Sequence, residues 1–317
     1  MTRKSDKIYI AGHQGMVGSA CWKAFEAEGY TNLIGKTSQE LDLRDQKTVE
    51  DFIRTEKPFA IIDAAAKVGG ILANDTYPYE FLMDNMLIQN NLIRAAHEND
   101  VPKFIFLGSS CIYPKFAPQP LKEEYLLTDS LEPTNEWYAI AKISGVKLIE
   151  ALRKEYSRDY VSLMPTNLYG PNDNFDLQSS HVLPAMIRKF HEAKLNGNAP
   201  VELWGTGSPM REFLHVDDLA HAVLFGLENT LEEHLYNVGT GIDLTIKHLA
   251  GIIQSVVGHK GEIIWDDTKP DGTPRKLMDN SKLVSQGWSS SIKLKDGIKS
   301  TYEWFKDSDS KIREVRI

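Results

Sequence analysis

The chain has 317 residues, 42% hydrophobic and 25% charged, a globular composition that excludes a disordered, collagen-like or coiled-coil protein. Its 36 basic and 44 acidic residues give a formal net charge of −8, which argues against a general nucleic-acid binder. Two cysteines, Cys21 and Cys111, are too few for a disulfide framework, and no apolar run approaches the ~18 residues of a membrane span. The polar start, Met1 to Lys7, leads into a run too short for a secretory signal, so a cytoplasmic enzyme or ligand-binding protein is expected.

The first such run, Ile8 to Ala11, reads as a buried strand, as do Leu33-Ile34, Phe59 to Ile62 and Phe104 to Leu107. Between them, Val49, Phe52 and Ile53 stand at helical spacing behind Asp45, a predicted N-cap. Leu87, Ile88, Leu92, Ile93 and Ala96 mark another helix that must end before Pro102. A helix around Tyr138 to Tyr156 and a strand Val161 to Met164 follow. This alternation predicts an α/β fold, a doubly wound parallel sheet wrapped by helices. The second half is richer in loops, with helices expected over Leu249 to Val257, capped by Thr245 and stopped at Gly258, and over Leu294 to Phe305.

Directly after the first strand stands Gly12-His13-Gln14-Gly15-Met16-Val17-Gly18, a G-x-x-G-x-x-G loop opening a helix. Glycine lets backbone approach a pyrophosphate whose charge the free N–H groups of the helix start can meet, so dinucleotide binding is predicted. After the second strand, where an acid would hold the ribose diol of NAD, the chain reads Gly35-Lys36-Thr37-Ser38. Lys36 and the hydroxyls, Ser38 among them, favour NADPH. Asp42 either holds an adenine amino group or is a solvated loop carboxylate.

Tyr138 and Lys142 lie four residues apart on one helix face, about 6 Å along the axis. A phenol that gives a proton to an alkoxide near neutral pH needs its acidity raised, and a neighbouring ammonium is predicted to do so. Leu107-Gly108-Ser109-Ser110-Cys111 follows the fourth strand, and strand-like alternation would face Ser109 and Cys111 the same way. Ser109 could polarise a substrate carbonyl beside the phenol. Cys111 is either an inert core residue or a reactive thiol, and no nucleophile-elbow motif supports a hydrolase. His215 and His221 flank Asp217-Asp218, but not at metal-ligand spacing; no metal is expected, and Asp217 is predicted as a helix N-cap.

Glycine loop, serine and Tyr-x-x-x-Lys together resemble the extended short-chain dehydrogenase/reductase superfamily. Longer stretches are similar to its GDP-L-fucose synthase branch: Ala64 to Ile71, Gly108 to Lys115, Leu131 to Glu136, Met164 to Pro171, Pro209 to Asp218 and Lys269 to Lys276. That resemblance covers about residues 8 to 305. It implies a Rossmann core over residues 1–165, to which the chain later returns, and a smaller α/β substrate domain mainly in residues 166–317. It also implies a bifunctional 3,5-epimerase and 4-reductase acting with NADPH on GDP-4-keto-6-deoxy-D-mannose, and a homodimer formed through the helices carrying Leu87 and Tyr138.

Ser109, Tyr138 and Lys142 would then form the reductase set, with Cys111 and His181 as the acid/base pair. Such chemistry is coherent, because a 4-keto group acidifies both neighbouring carbons and inversion needs a base on one face and an acid on the other. Leu107, Gly108, Pro165, Asn167, Leu168 and His181 would border the cofactor. Asn167, Lys189, Trp204, Arg211, Asp271 and Lys276 would line the sugar-nucleotide site. Gln14 and Ser38 replace arginines that often hold the 2′-phosphate, and Lys189 replaces a common arginine, a point charge in place of a fork. The rivals are an epimerase-reductase of another GDP-keto sugar, such as a 6-deoxy-heptose, and a non-catalytic NADP-sensing protein.

Overall fold

The five predicted runs become strands of one parallel sheet, joined by an unpredicted sixth, Leu235–Val238. A computed structural model describes residues 2–177, 179–269 and 271–308. In chain order the first half runs β1 (Ile8–Ala11), α1 (Met16–Ala27), β2 (Leu33–Ile34), α2 (Gln46–Glu56), β3 (Ala60–Asp63), α3 (Ile71–Thr76), α4 (Pro78–Glu98), β4 (Lys103–Leu107), α5 (Glu136–Tyr156) and β5 (Asp159–Pro165). The remainder is β6 (Asn167–Tyr169), α6 (Val182–Leu195), β7 (Val201–Trp204), β8 (Met210–His215), α7 (Val216–Glu228), β9 (Leu235–Val238), β10 (Asp243–Thr245), α8 (Ile246–Val257), β11 (Ile263–Asp266), β12 (Arg275–Lys276), α9 (Ser281–Ser285) and α10 (Leu294–Ser308).

The sheet order is β2-β1-β3-β4-β5-β9, all parallel. Every residue of β1, β3 and β4 is buried, which is why these strands read as unbroken apolar runs. One face packs Ala20, Cys21 and Phe25 of α1 with Leu219 and Val223 of α7. The other packs Val49 and Ile53 of α2, Leu92 and Ile93 of α4, and Ile143 and Val146 of α5 around Phe104 and Phe106. Each such valine, leucine, isoleucine or phenylalanine, fully buried, contributes about 1.5–3 kcal/mol. A third cluster, from Tyr169 to Phe305, fills the space between α6, α8, α10 and the short sheets.

The helix boundaries follow local chemistry. Asp45 accepts from the Thr48 N–H and Thr245 from the His248 N–H, both as expected, and Gly258 ends α8 at φ 75°. Asp217 is not the cap of α7: His215 occupies that position and its Nδ1 accepts from the Asp217 N–H at 3.2 Å, leaving Asp217 in the first turn. An imidazole nitrogen can cap as a carboxylate does, a possibility the sequence pattern does not advertise.

From β1 the chain steps out to β2, then back past β1 to β3. The cleft at the carboxyl ends of β1 and β3 is thus where a ligand fits in such a sheet.

Candidate active site

The glycine loop turns at that switch point. Gly12 has φ 75°, and a Cβ there would stand 2.8 Å from the Ala64 carbonyl; on Gly18 it would stand 2.2 Å from the Gly12 carbonyl. The loop therefore closes on both β3 and its own helix, and the first turn of α1 keeps its N–H groups for an anion. The His13 ring packs against Gly35, where a Cβ would come 2.4 Å from its Cγ, and is tilted at 46° to the Trp22 ring 5.7 Å away. A tight backbone cradle and the unpartnered buried His13 Nδ1 fit a dinucleotide.

Beyond β2, Lys36 pairs with Glu40 at 3.6 Å. Glu40 also accepts the Thr37 N–H and hydroxyl, both at 2.8 Å, while the Thr37 hydroxyl accepts from the Glu40 N–H, a reciprocal capping box. These donors hold the Glu40 carboxyl below the usual range. The Asp42 carboxylate is gripped by the Arg44 guanidinium at 2.9 and 2.8 Å, so an adenine amino group would have to share it. Ser38 is exposed.

β4 ends at Leu107, and Ser110–Ile112 form a single 3₁₀ turn, so strand alternation does not relate Ser109 to Cys111. The turn does: the Cys111 N–H donates to the Ser109 Oγ at 3.4 Å. Burial pushes the Cys111 thiol up, while Lys276, the Ser109 hydroxyl and Lys142 pull it back. Gly108 leaves room for the Met164 Cε, which a Cβ there would meet at 2.0 Å, and its N–H donates to the Leu163 carbonyl of β5 at 3.0 Å.

On α5, the Lys142 Nζ stands 5.9 Å from the centre of the Tyr138 ring, as the helical spacing predicts. It donates to the Leu107 carbonyl at 2.9 Å and lies 4.7 Å over the Phe106 ring. The expected rise in Tyr138 acidity is absent. Burial, then the negative charge available at Cys111 and Asp63, push the phenol well above its ordinary value. The ammonium is occupied with a carbonyl instead, and burial lowers its own pKa against the pull of Asp63 and Cys111.

His181 is the N-cap of α6, with extended backbone. Desolvation, then the positive charge of Lys276, hold its imidazole below the ordinary value. Lys276 belongs to β12, whose pairing with β8 sets Lys276 opposite Arg211. The short strand is held by Met210 N–H donating to Pro274 O at 2.8 Å and by Met278 N–H donating to Glu212 Oε2 at 2.9 Å. Glu212 is fully buried, and its other oxygen accepts from the Gly241 N–H at 2.7 Å. The two cations therefore converge on one wall, where burial lowers the pKa of both.

The other predicted contacts are more dispersed. Asn167 donates its amide to the Glu212 carbonyl at 2.8 Å, and Lys189 donates to the Glu202 carbonyl at 3.0 Å. Trp204 is 65% exposed, with the Lys269 Nζ 5.9 Å from its ring. Asp271 accepts the Thr206 N–H and hydroxyl, each at 2.7 Å, joining the loop after β7 to the loop before β12. Pro165 and Leu168 flank the crossing from β5 to β6, beside the cleft.

Sequence reasoning passed over Asp63, Glu212 and Arg44. An acid closing the apolar run Ala60-Ile61-Ile62 was the available signal for the first. Among the described residues no group of three or more His, Cys, Asp or Glu is arranged to hold a metal ion.

The model of the NAD dependent epimerase/dehydratase family matches residues 8–239. GDP-L-fucose synthase 1 of Arabidopsis thaliana is 58% identical over 305 residues, covering 96% of this chain and 94% of the relative. GDP-L-fucose synthase of Escherichia coli K12 is 52% identical over 317 residues, covering 97% and 98%. A GDP-L-fucose synthetase from Naegleria fowleri, solved bound to NADP, superposes with a TM-score of 0.91 at 27% identity over 99% of this chain and 96% of that one. Matched by that family model over most of its length, this chain belongs to the NAD dependent epimerase/dehydratase family.

Proposed function

We propose that the protein converts GDP-4-keto-6-deoxy-D-mannose to GDP-L-fucose, by 3,5-epimerisation and NADPH-dependent 4-reduction. The observation that carries this reading is the shared electrostatic neighbourhood of Cys111. Tyr138, Lys142 and Lys276 all feel its charge, and Lys276 in turn biases His181. The groups assigned to inversion and those assigned to reduction thus share one electrostatic neighbourhood.

The glycine cradle, Lys36 and Lys142 would hold the cofactor, which supplies the hydride for C4 when bound. Arg211 and Lys276 suit a diphosphate, and Trp204 offers a flat face to the base. With the ketone oxygen against Ser109 and Tyr138, the hydrogens on C3 and C5 become acidic. Cys111 and His181 take a proton from one face of each carbon and return one to the other. At C4, the oxygen left negative by hydride arrival takes the Tyr138 proton. Burial keeps that phenol protonated at neutral pH, and an alkoxide is a strong enough base to take the proton from it.

The same reading pairs the chain with a second copy through α4 and α5. Met83 and Leu87 on α4, and Trp137, Ile140 and Leu148 on α5, are large apolar residues left 37–40% exposed. Both cysteines are free and buried, which suits the reducing cytoplasm, and among the described residues no helix is long and apolar enough to cross a membrane.

The test is incubation with NADPH and the GDP-keto sugar, following nicotinamide absorbance and identifying the product by NMR. GDP-L-fucose with stoichiometric NADPH loss is expected. Turnover only of a GDP-keto-heptose, or of neither sugar, would overturn the reading.

A further inference from the structure

We propose that Asp63 is a positioning residue for the reduction, a buried counter-charge at the end of β3 that serves the Lys142 ammonium on α5. The inference rests on the epimerase-reductase reading for its consequence, but its geometry stands independently.

Asp63 is 1% exposed in a strand of otherwise apolar residues. Strand alternation turns it to the same face as Ile61, the face covered by α4 and α5. In the sheet it lies opposite Phe106 of β4, and the Lys142 Nζ rests over that same ring. One carboxyl oxygen accepts the Ala65 N–H at 3.3 Å; the other, Oδ2, is buried with no hydrogen-bond partner. Such a group is costly to keep unless its charge is used.

The titratable groups that feel Asp63 are Tyr9 on β1 and Tyr138 and Lys142 on α5. Lys67, on the loop that follows, is engaged by Asp84 at 3.3 Å. Lys142 is thus the one cation among these coupled groups. Its dry site favours loss of the proton; Asp63, and after it Cys111 on the 3₁₀ turn beyond β4, oppose that loss, and the Asp63 carboxyl, pushed up to about 6 by burial, is charged above that pH. A charged Lys142 is what hydrogen-bonds ribose hydroxyls and, once turned from the Leu107 carbonyl, faces the phenol.

The experiment titrates the protein with NADPH alone, by nicotinamide fluorescence, from about pH 6 to about pH 10 in parent, Asp63→Asn and Asp63→Leu. In both variants the pH at which affinity falls should move down by about one unit, which is about tenfold weaker binding on the alkaline side. Lys142→Met should remove that pH dependence, and adding Asp63→Asn to it should shift nothing further. An unchanged midpoint in Asp63→Asn overturns the proposal. So does a shift confined to Asp63→Leu, which would report packing. If Asp63→Leu does not fold, Asp63→Asn decides alone. Because no sugar is present, a shifted midpoint in a protein that fails to reduce the GDP-keto sugar would sink the functional reading and leave this one standing.

Discussion

Ser109 and Cys111 are bound to each other: the Cys111 N–H donates to the Ser109 Oγ at 3.4 Å across a single 3₁₀ turn. The hydroxyl assigned to the ketone and the thiol assigned to its neighbouring carbons thus share one rigid feature. Replacing Cys111 with Ala leaves that backbone N–H in place. The variant should lose deuterium uptake at C3 and C5 while retaining slow reduction of the unepimerised ketone. His181→Asn should behave likewise. NMR of products formed in deuterated water reads both, and parental exchange in Cys111→Ala would make the thiol a packing residue.

Tyr138→Phe removes the proton donor and little else, since the ring keeps its edge contact with Phe81 at 6.4 Å. NADPH and sugar nucleotide should bind within a few-fold of the parent, while hydride transfer slows by about 10²–10⁴. Single-turnover absorbance separates the two, and near-normal reduction would remove the phenol from its role.

Lys276 lowers the pKa of both Cys111 and His181. Taking away a positive charge lets both rise. Lys276→Met should therefore move the rise of deuterium exchange with pH to more alkaline values, besides weakening sugar-nucleotide binding. The exchange profile at saturating substrate checks it; a midpoint that stays put would mean the ammonium serves binding only.

Cofactor preference hangs on a single cation already engaged. Glu40 occupies Lys36, and a 2′-phosphate would have to compete with it. NADPH should be preferred over NADH, Ser38→Arg should widen that preference by adding a fork, and Glu40→Gln should widen it by releasing Lys36. Steady-state kcat/KM for both cofactors decides, and higher turnover with NADH in the parent protein would reverse the reading of Gly35 to Ser38.

Asp173, in the loop leading to His181, is buried with Oδ2 unpartnered and its pKa pushed up to about 7 by desolvation. The folded state prefers the neutral acid. That stabilisation is complete below the ordinary carboxylate pKa and is lost as pH rises through about 7. Asp173→Asn, neutral throughout, should gain in melting temperature over the parent between pH 5 and pH 8, by roughly 1–2 °C per kcal/mol for a chain of this size. A constant difference across that range would show the carboxyl to be otherwise satisfied.

β1, β3, β4 and β5 were legible because they are buried and written as nearly continuous apolar runs, bounded by glycine, proline or charge; β9 was not, since its four residues carry the buried polar Asn237. The glycine loop and Tyr138/Lys142 were legible for a similar reason: local geometry alone, a tight turn or one helix face, brings their atoms together. Cys111 and His181 were not, since 70 residues separate them and only β12, two residues long, supplies the charge they share. Asp63 was overlooked because an acid ending a strand looks like the start of a loop. Strand alternation and the neighbour at Phe106 put it inside. The expectation for Tyr138 failed because helical spacing gives the distance to Lys142 but not what else the ammonium meets, here the Leu107 carbonyl.

The last strand of the parallel sheet, β9, is made from residues 235–238, after the chain has already crossed through β6 to β8. On a ribosome the sheet therefore waits for some seventy further residues after β5 is made, with the backbone edge of Asp159–Pro165 open until then. A fragment cut at residue 165 would expose that edge together with the face of α1 that α7 covers, so it should associate with copies of itself. The sheet beneath the cleft is complete only once the chain has returned to lay β9 beside β5.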